Sequence, residues 1–169
     1  MADAALMSGP VPVRELPAVA RFSLRARPAE RMAAATALRV GLEDKVGRIA
    51  EAGARRTLCL GPDEWAVHGA RDDGPAIGAA LATVAGTALV DVSDREVTLS
   101  VEGARAAELL AYGCPRDLAR MPPGRGARTV FEGVTVVLWR WPDRIDVDVW
   151  RSFAPFVRDV LAAANRALP

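Results

Sequence analysis

At 169 residues, 51% of them apolar, the chain is long enough for one domain or two small halves and rich enough in apolar side chains to bury a core. The formal net charge of +1 lacks the basic excess that a nucleic-acid partner demands. Lys45 is the only lysine, so the basic residues are almost all Arg, a bias that reflects genomic base composition more than chemistry.

In chain order, residues 1–12 mix Ala, Gly, Pro and Ser without periodicity and read as a mobile tail, leaving 13–169 as a single α+β domain or two small halves. Arg21–Arg25 alternates polar and apolar as a half-buried strand does. Pro28 suits a first helical turn, and Ala29–Leu38 is rich in helix formers. Leu42–Gly53 is polar, a loop or short helix. Thr57–Leu60 and Trp65–Val67 read as strands around the acidic turn Gly61-Pro62-Asp63-Glu64, whose chemistry favours a tight corner over a reactive loop. Pro75–Ala85 is a helix of small residues. Thr87–Val92 and Glu96–Val101 are strands whose spacing across Ser93-Asp94-Arg95 suggests a hairpin. Ala104–Tyr112 is a helix with Gly113 as its C-terminal cap and Pro115 just beyond. Pro122-Pro123-Gly124 is a loop. Thr129–Phe131, Val134–Trp139 and Ile145–Trp150 are strands, the first two joined by the turn Glu132-Gly133. An amphipathic helix from Ser152 to Leu168 closes the chain, with Ser152 placed to cap it.

This order gives an α+β fold: antiparallel or mixed sheets with helices on one face, built from split βαβ-type units, an arrangement that fits the order if used twice. No internal sequence repeat is visible. Asp3 sits where a signal peptide would be basic, and the uncharged stretch Gly74–Val90 is shorter than the roughly 20 residues of a membrane helix, so a soluble cytoplasmic protein is expected.

Little in the chain suggests catalysis. Cys59 and Cys114 lie among apolar neighbours, outside any CxxC pair, and read as buried reduced thiols. His68, the only histidine, would serve as a base only if a carboxylate oriented it, and no serine stands in a nucleophile context. One His and two distant Cys do not make a zinc set. No GxGxxG or P-loop occurs; Gly124-Arg125-Gly126 follows two prolines and reads as a charged loop. Asp143, Asp146 and Asp148 alternate with Ile145, Val147 and Val149, which puts the carboxylates on a hydrated strand face. Trp139, Trp141 and Trp150 gather in the last hairpin of an aromatic-poor chain. Core packing accounts for part of this; enrichment of Trp and Arg at interfaces makes Trp139, Arg140, Trp141, Arg144, Trp150 and Arg151 a candidate docking face.

Several segments, in order, resemble the gamma subunit of heterotetrameric sarcosine oxidase: Val13-Arg-Glu-Leu-Pro17 with Arg21-Phe-Ser-Leu-Arg25; Ala52-Gly-Ala-Arg-Arg56 running into Leu60-Gly-Pro-Asp-Glu-Trp65; Val90-Asp-Val-Ser93 and Leu99-Ser-Val-Glu-Gly103; Gly113-Cys-Pro-Arg-Asp-Leu118; and Arg151-Ser-Phe-Ala154. The match spans residues 13–165. The resemblance implies a fold like the N-terminal region of the folate-binding T-protein of glycine cleavage, an aminomethyltransferase. It implies an αβγδ complex that demethylates sarcosine to glycine, passes the one-carbon unit to tetrahydrofolate and produces peroxide. FAD, FMN, NAD, zinc and tetrahydrofolate are then expected in partner subunits, with the catalytic flavin on beta, nicotinamide dinucleotide and the folate site on alpha, and zinc on a small subunit. The family's gamma subunit has no recognised catalytic, cofactor or metal residues and supports assembly through contact with alpha.

Two other functions fit the same residues. A stand-alone folate-binding, aminomethyltransferase-like protein would need a carboxylate in a pterin-sized pocket, with Asp91 the first candidate. A homo-oligomeric α+β binding module would need no flavoenzyme partner. Fold resemblance alone does not choose among them.

Overall fold

The computed structural model describes residues 9–169. In chain order the elements are β1 (Val13–Glu15), β2 (Ala20–Ala26), α1 (Arg31–Leu38), β3 (Ile49–Ala52), β4 (Arg55–Gly61), β5 (Glu64–Gly69), a 3₁₀ turn (Arg71–Asp73), α2 (Gly74–Ala82), β6 (Thr87–Asp91), β7 (Glu96–Glu102), α3 (Ala106–Leu110), β8 (Arg125–Phe131), β9 (Val134–Arg140), β10 (Arg144–Trp150) and α4 (Ala154–Ala167). They divide into two compact units, one formed by Ala18–Asp94 and the other by the N-terminal segment through Pro17 together with Arg95–Pro169.

In the Ala18–Asp94 unit the strand order is β3-β4-β5-β2-β6, and every recorded pairing is antiparallel. The alternation read in Arg21–Arg25 places Phe22 and Leu24 against α1 and α2, with Leu24 opposite both Trp65 and Leu89. Leu38, Ile77 and Leu81 close this core from the helices; full burial of each such side chain contributes about 1.5–3 kcal/mol. The acidic turn is a corner. Gly61 pairs with Glu64, and Arg25 ties both acids down, to Asp63 at 2.7 Å and Glu64 at 3.1 Å. The 42–53 segment contains β3 instead of a loop or helix throughout. Its polarity is that of an edge strand, paired on one side only, to β4. β5, α2 and β6 form a split βαβ unit, with β2 lying between β5 and β6.

In the other unit the order is β1-β7-β10-β9-β8, again antiparallel throughout the recorded pairings. Leu99, Val101, Val147 and Val149 form one core with Leu109 and Leu110 of α3 and Val157 and Leu161 of α4. The series β7-α3-β8-β9-β10-α4 repeats β2-α1-β3-β4-β5-α2 with the same spatial order. Only the flanking strand differs in origin: β6 follows α2, whereas β1 comes from before the whole series.

Four local expectations change. β6 and β7 do not form a hairpin. β6 pairs with β2 and β7 with β1 and β10, and the 93–95 connection is fastened to β2 through Arg21 N–H donating to Ser93 Oγ at 3.0 Å. Gly113 does not adopt left-handed geometry; a Cβ there would sit 2.9 Å from the Phe131 ring, so its role is close approach. Arg125 and Gly126 already belong to β8, where Gly126 lies opposite the bulky Trp139. Ser152 does not cap α4; Phe153 holds that position without a side-chain cap, and Pro155 occupies the first turn. Of the expected N-terminal tail, residues 1–8 lie outside the described residues. Beyond them, Val11 is buried and its backbone is clasped by Asn165, which donates from Nδ2 to the Val11 carbonyl at 2.7 Å and accepts the Val11 N–H at 3.1 Å.

Candidate functional site

The hairpin β9–β10 carries five of the six candidate docking residues, with Arg151 directly after it, and its two faces divide them. Ile145, Val147 and Val149 enter the core, so Asp146, Asp148 and Trp150 take the opposite face with Trp139. On that face Asp146 and Asp148 are 0% and 2% exposed, so they are not the hydrated ladder expected from alternation. Each carboxylate accepts an indole N–H hydrogen bond, one from β9 and one from the residue just after it. Trp139 Nε1–H donates to Asp148 at 2.6 Å and Trp141 Nε1–H to Asp146 at 2.7 Å. Asp148 also accepts the Thr98 hydroxyl at 2.5 Å, and Asp146 accepts Arg144 Nε–H at 3.0 Å. The two indoles stack with centroids 6.4 Å apart, and the Arg144 guanidinium lies 5.5 Å from the Trp141 ring centre. Buried donors and acceptors are thereby matched, as burial of charge requires.

Trp139 and Trp141 are therefore buried in this network and not presented at the surface. Arg144 is part of the same network. Arg140 is half-buried, with its Nε enclosed and without a hydrogen-bond partner. Trp150 and Arg151 are exposed. Two further aromatics that sequence patterning did not single out, Phe153 and Phe156 at the α4 start, are also exposed; Trp150, Phe153 and Phe156 are 45%, 44% and 47% exposed. Phe153 stands 6.3 Å from Trp150, tilted by 35°, and the Arg95 guanidinium lies 5.6 Å from the Trp150 ring centre. Phe153 and Phe156 share helical spacing but fall one position before the buried stripe Ala154, Val157 and Leu161; that offset was the available signal. Between Trp150 and Phe153 lies an open depression of about 220 Å³, floored by Gly133, Val134 and Thr135.

The other candidate chemistry is placed as follows. His68 is buried in β5, opposite Arg21 and Arg56, and accepts Arg56 Nε–H on Nδ1 at 3.2 Å. Nδ1 is then the unprotonated nitrogen, the reverse of a base held through Nδ1–H by a carboxylate. Asp91 is exposed at the end of β6, and its hydrogen bonds from Ser93 hold its carboxyl below the usual range. Cys59 and Cys114 are buried and unpaired by any disulfide. Burial pushes the Cys59 thiol up, and its S–H donates to the Gly61 carbonyl at 3.2 Å. Among the described residues no group of three or more His, Cys, Asp or Glu is arranged to hold a metal ion, and no helix is long and apolar enough to cross a membrane.

The fold as a whole is that of a known class. Aminomethyltransferase T of the glycine cleavage system from Bartonella henselae superposes with a TM-score of 0.70 over 93% of this chain and 46% of that one, at 10% identity. The chain thus has an α+β fold like that of the T-protein. A chain of the heterotetrameric sarcosine oxidase of Corynebacterium sp. U-96, solved with pyrrole 2-carboxylate, superposes with a TM-score of 0.84 at 28% identity, covering 96% of this chain and 88% of that one. Over 138 residues, 77% of this chain, the sequence is 33% identical to sarcosine oxidase subunit gamma of Corynebacterium sp. strain U-96, and the match spans 66% of that relative's length. No family model matches the chain. The chain belongs to the family of sarcosine oxidase gamma subunits.

Proposed function

We propose that this chain is a non-catalytic subunit of a heterotetrameric sarcosine oxidase and that its work is assembly and stability through contact with the alpha subunit. The observation that carries this reading is the superposition at a TM-score of 0.84 over nearly the whole of both chains. The complex would convert sarcosine to glycine, pass the one-carbon unit to tetrahydrofolate and release peroxide. Its FAD, FMN, NAD, zinc and folate would reside on the alpha, beta and delta subunits, in the cytoplasm. The local chemistry supports the same division of labour. The histidine accepts a hydrogen bond from an arginine, the paired aspartates serve indoles, and the prominent exposed feature is aromatic. Purification of the tagged chain from a host that makes the whole complex tests this: flavin-bearing partner chains are expected to stay bound, and a colourless lone chain contradicts it.

A further inference from the structure

Independently of the assembly reading, we infer that the edge of β7 and the buried face of α4 form a strand-accepting groove. Its ligand is the chain's own N-terminal segment Val11–Glu15, and the same segment of a second copy can take that place. The contacts that hold the segment come from elements remote in sequence. Val13, Arg14 and Glu15 pair antiparallel with Val101, Ser100 and Leu99. The ladder continues at both ends, where Glu102 N–H donates to the Pro12 carbonyl and Leu16 N–H to the Thr98 carbonyl, each at 2.9 Å. Period-two alternation sends Val11, Val13 and Glu15 to one side. There Val11 and Val13 join the core cluster that contains Val157, Leu161 and Ala164 of α4. Glu15 meets Arg158 of the same helix at 3.2 Å, and Asn165, further along it, clasps the Val11 backbone through two hydrogen bonds. A Cβ on Gly9 would lie 2.4 Å from the Asn165 side chain, so the chain passes the clasp only as glycine. Main-chain bonds to a strand edge, with alternate side chains seated in an apolar groove, are the elements of recognition by strand addition.

The covalent link supplies proximity, not contacts. It runs through Pro17 and Ala18, both exposed, into the other unit. In that unit the corresponding edge, that of β2, is taken by β6, which follows α2 directly; the edge of β7 is filled from the opposite end of its series. The fifth position of the sheet is thus filled by either covalent route. A tether raises the local concentration of a segment without adding an interaction, and exchange of an identical element between copies conserves every contact.

The test uses the full-length chain with a protease site inserted between Pro17 and Ala18, folded intact and then cut. The severed piece is expected to stay with the remainder through gel filtration. A fluorescent peptide of residues 9–17, standing for the segment of a second copy and added in excess, is expected to enter the groove as the piece leaves. The same peptide carrying Val11→Asp and Val13→Asp is expected to bind about 100-fold more weakly or worse, because its carboxylates would be buried without partners. In the chain, Asn165→Ala is expected to weaken retention of the severed piece by about 30-fold or more. The altered peptide leaves the chain untouched, so this comparison holds even where Asn165→Ala prevents folding. Immediate loss of the piece from the wild-type remainder, no uptake of the native peptide, equal uptake of the two peptides, or unchanged retention in a folded Asn165→Ala chain each overturns the inference.

Discussion

Asp148 shows how a residue's role here is decided by its diagonal neighbour. It lies directly opposite Val137 in the β9–β10 register, and the indole that reaches it comes from Trp139, two positions along. Asp146, directly opposite Trp139, is reached by Trp141 in the same diagonal sense. Two tryptophans two apart therefore interlock with two aspartates two apart. Period-two alternation revealed the strand, but it is silent on whether the polar face is wet; the recurrence of Trp-x-Trp followed by Asp-x-Asp was the legible sign that it is not. Asp148→Ala leaves two buried donors, Trp139 Nε1–H and the Thr98 hydroxyl, without this acceptor. At about 1–3 kcal/mol for each stranded group, a loss of about 2–6 kcal/mol is expected in urea unfolding. A second carboxylate gives a pH signature. Arg55 makes two hydrogen bonds to Asp73, at 2.6 and 2.8 Å, and holds that carboxyl below its usual 3.8 while the guanidinium is itself raised. A folded-state value that is depressed means stability present above the unfolded value and lost as pH falls through the folded one. Asp73→Asn is expected to be less stable than wild type at pH 6, with the difference shrinking below about pH 4. A gap that persists unchanged to pH 2 contradicts the role given to the pair.

At the scale of elements, the strands and helices with strong apolar periodicity were readable, and the errors fall where a partner decides the outcome. β3 is polar because it is an edge strand, and β6 and β7 look like a hairpin because each is a good strand with a short connection. Their partners, β2 for one and β1 with β10 for the other, are remote in sequence. β1 itself is three residues long, too short to announce itself by pattern. It is held by Val13 in the core and by the Asn165 clasp on Val11, two contacts across 154 residues of chain. Asn165→Ala removes both side-chain bonds to buried backbone and is expected to cost about 2–4 kcal/mol. It is also expected to accelerate hydrogen exchange along β1 before exchange along β10 changes. Equal acceleration in both strands would place the clasp's effect elsewhere.

At the scale of the molecule, the α+β class and the split βαβ motif used twice were accessible from element order, whereas the depth of the duplication was not. Both units order their strands identically, yet β2 reads Ala-Arg-Phe-Ser-Leu-Arg-Ala and β7 reads Glu-Val-Thr-Leu-Ser-Val-Glu. Topology constrains which positions are apolar and not which residues fill them. The fifth strand also comes from opposite ends of the repeated series, β6 after it and β1 before it, so a linear comparison of the two halves is out of step. Of the residues proposed as a docking face, only some lie at the surface. Trp150 and Arg151 lie at the surface, the neighbouring tryptophans serve the buried network, and Phe153 and Phe156 are exposed as well.

The role proposed for this chain is assembly, not chemistry, within a sarcosine oxidase. The most direct measurement is to purify it by tag from its native host and assay the recovered material for bound flavin and for sarcosine-dependent peroxide. A yellow multi-subunit complex that is active with sarcosine is expected, with no activity from the chain once it is separated from its partners. A colourless homo-oligomer, or sarcosine turnover by the isolated chain, would contradict it.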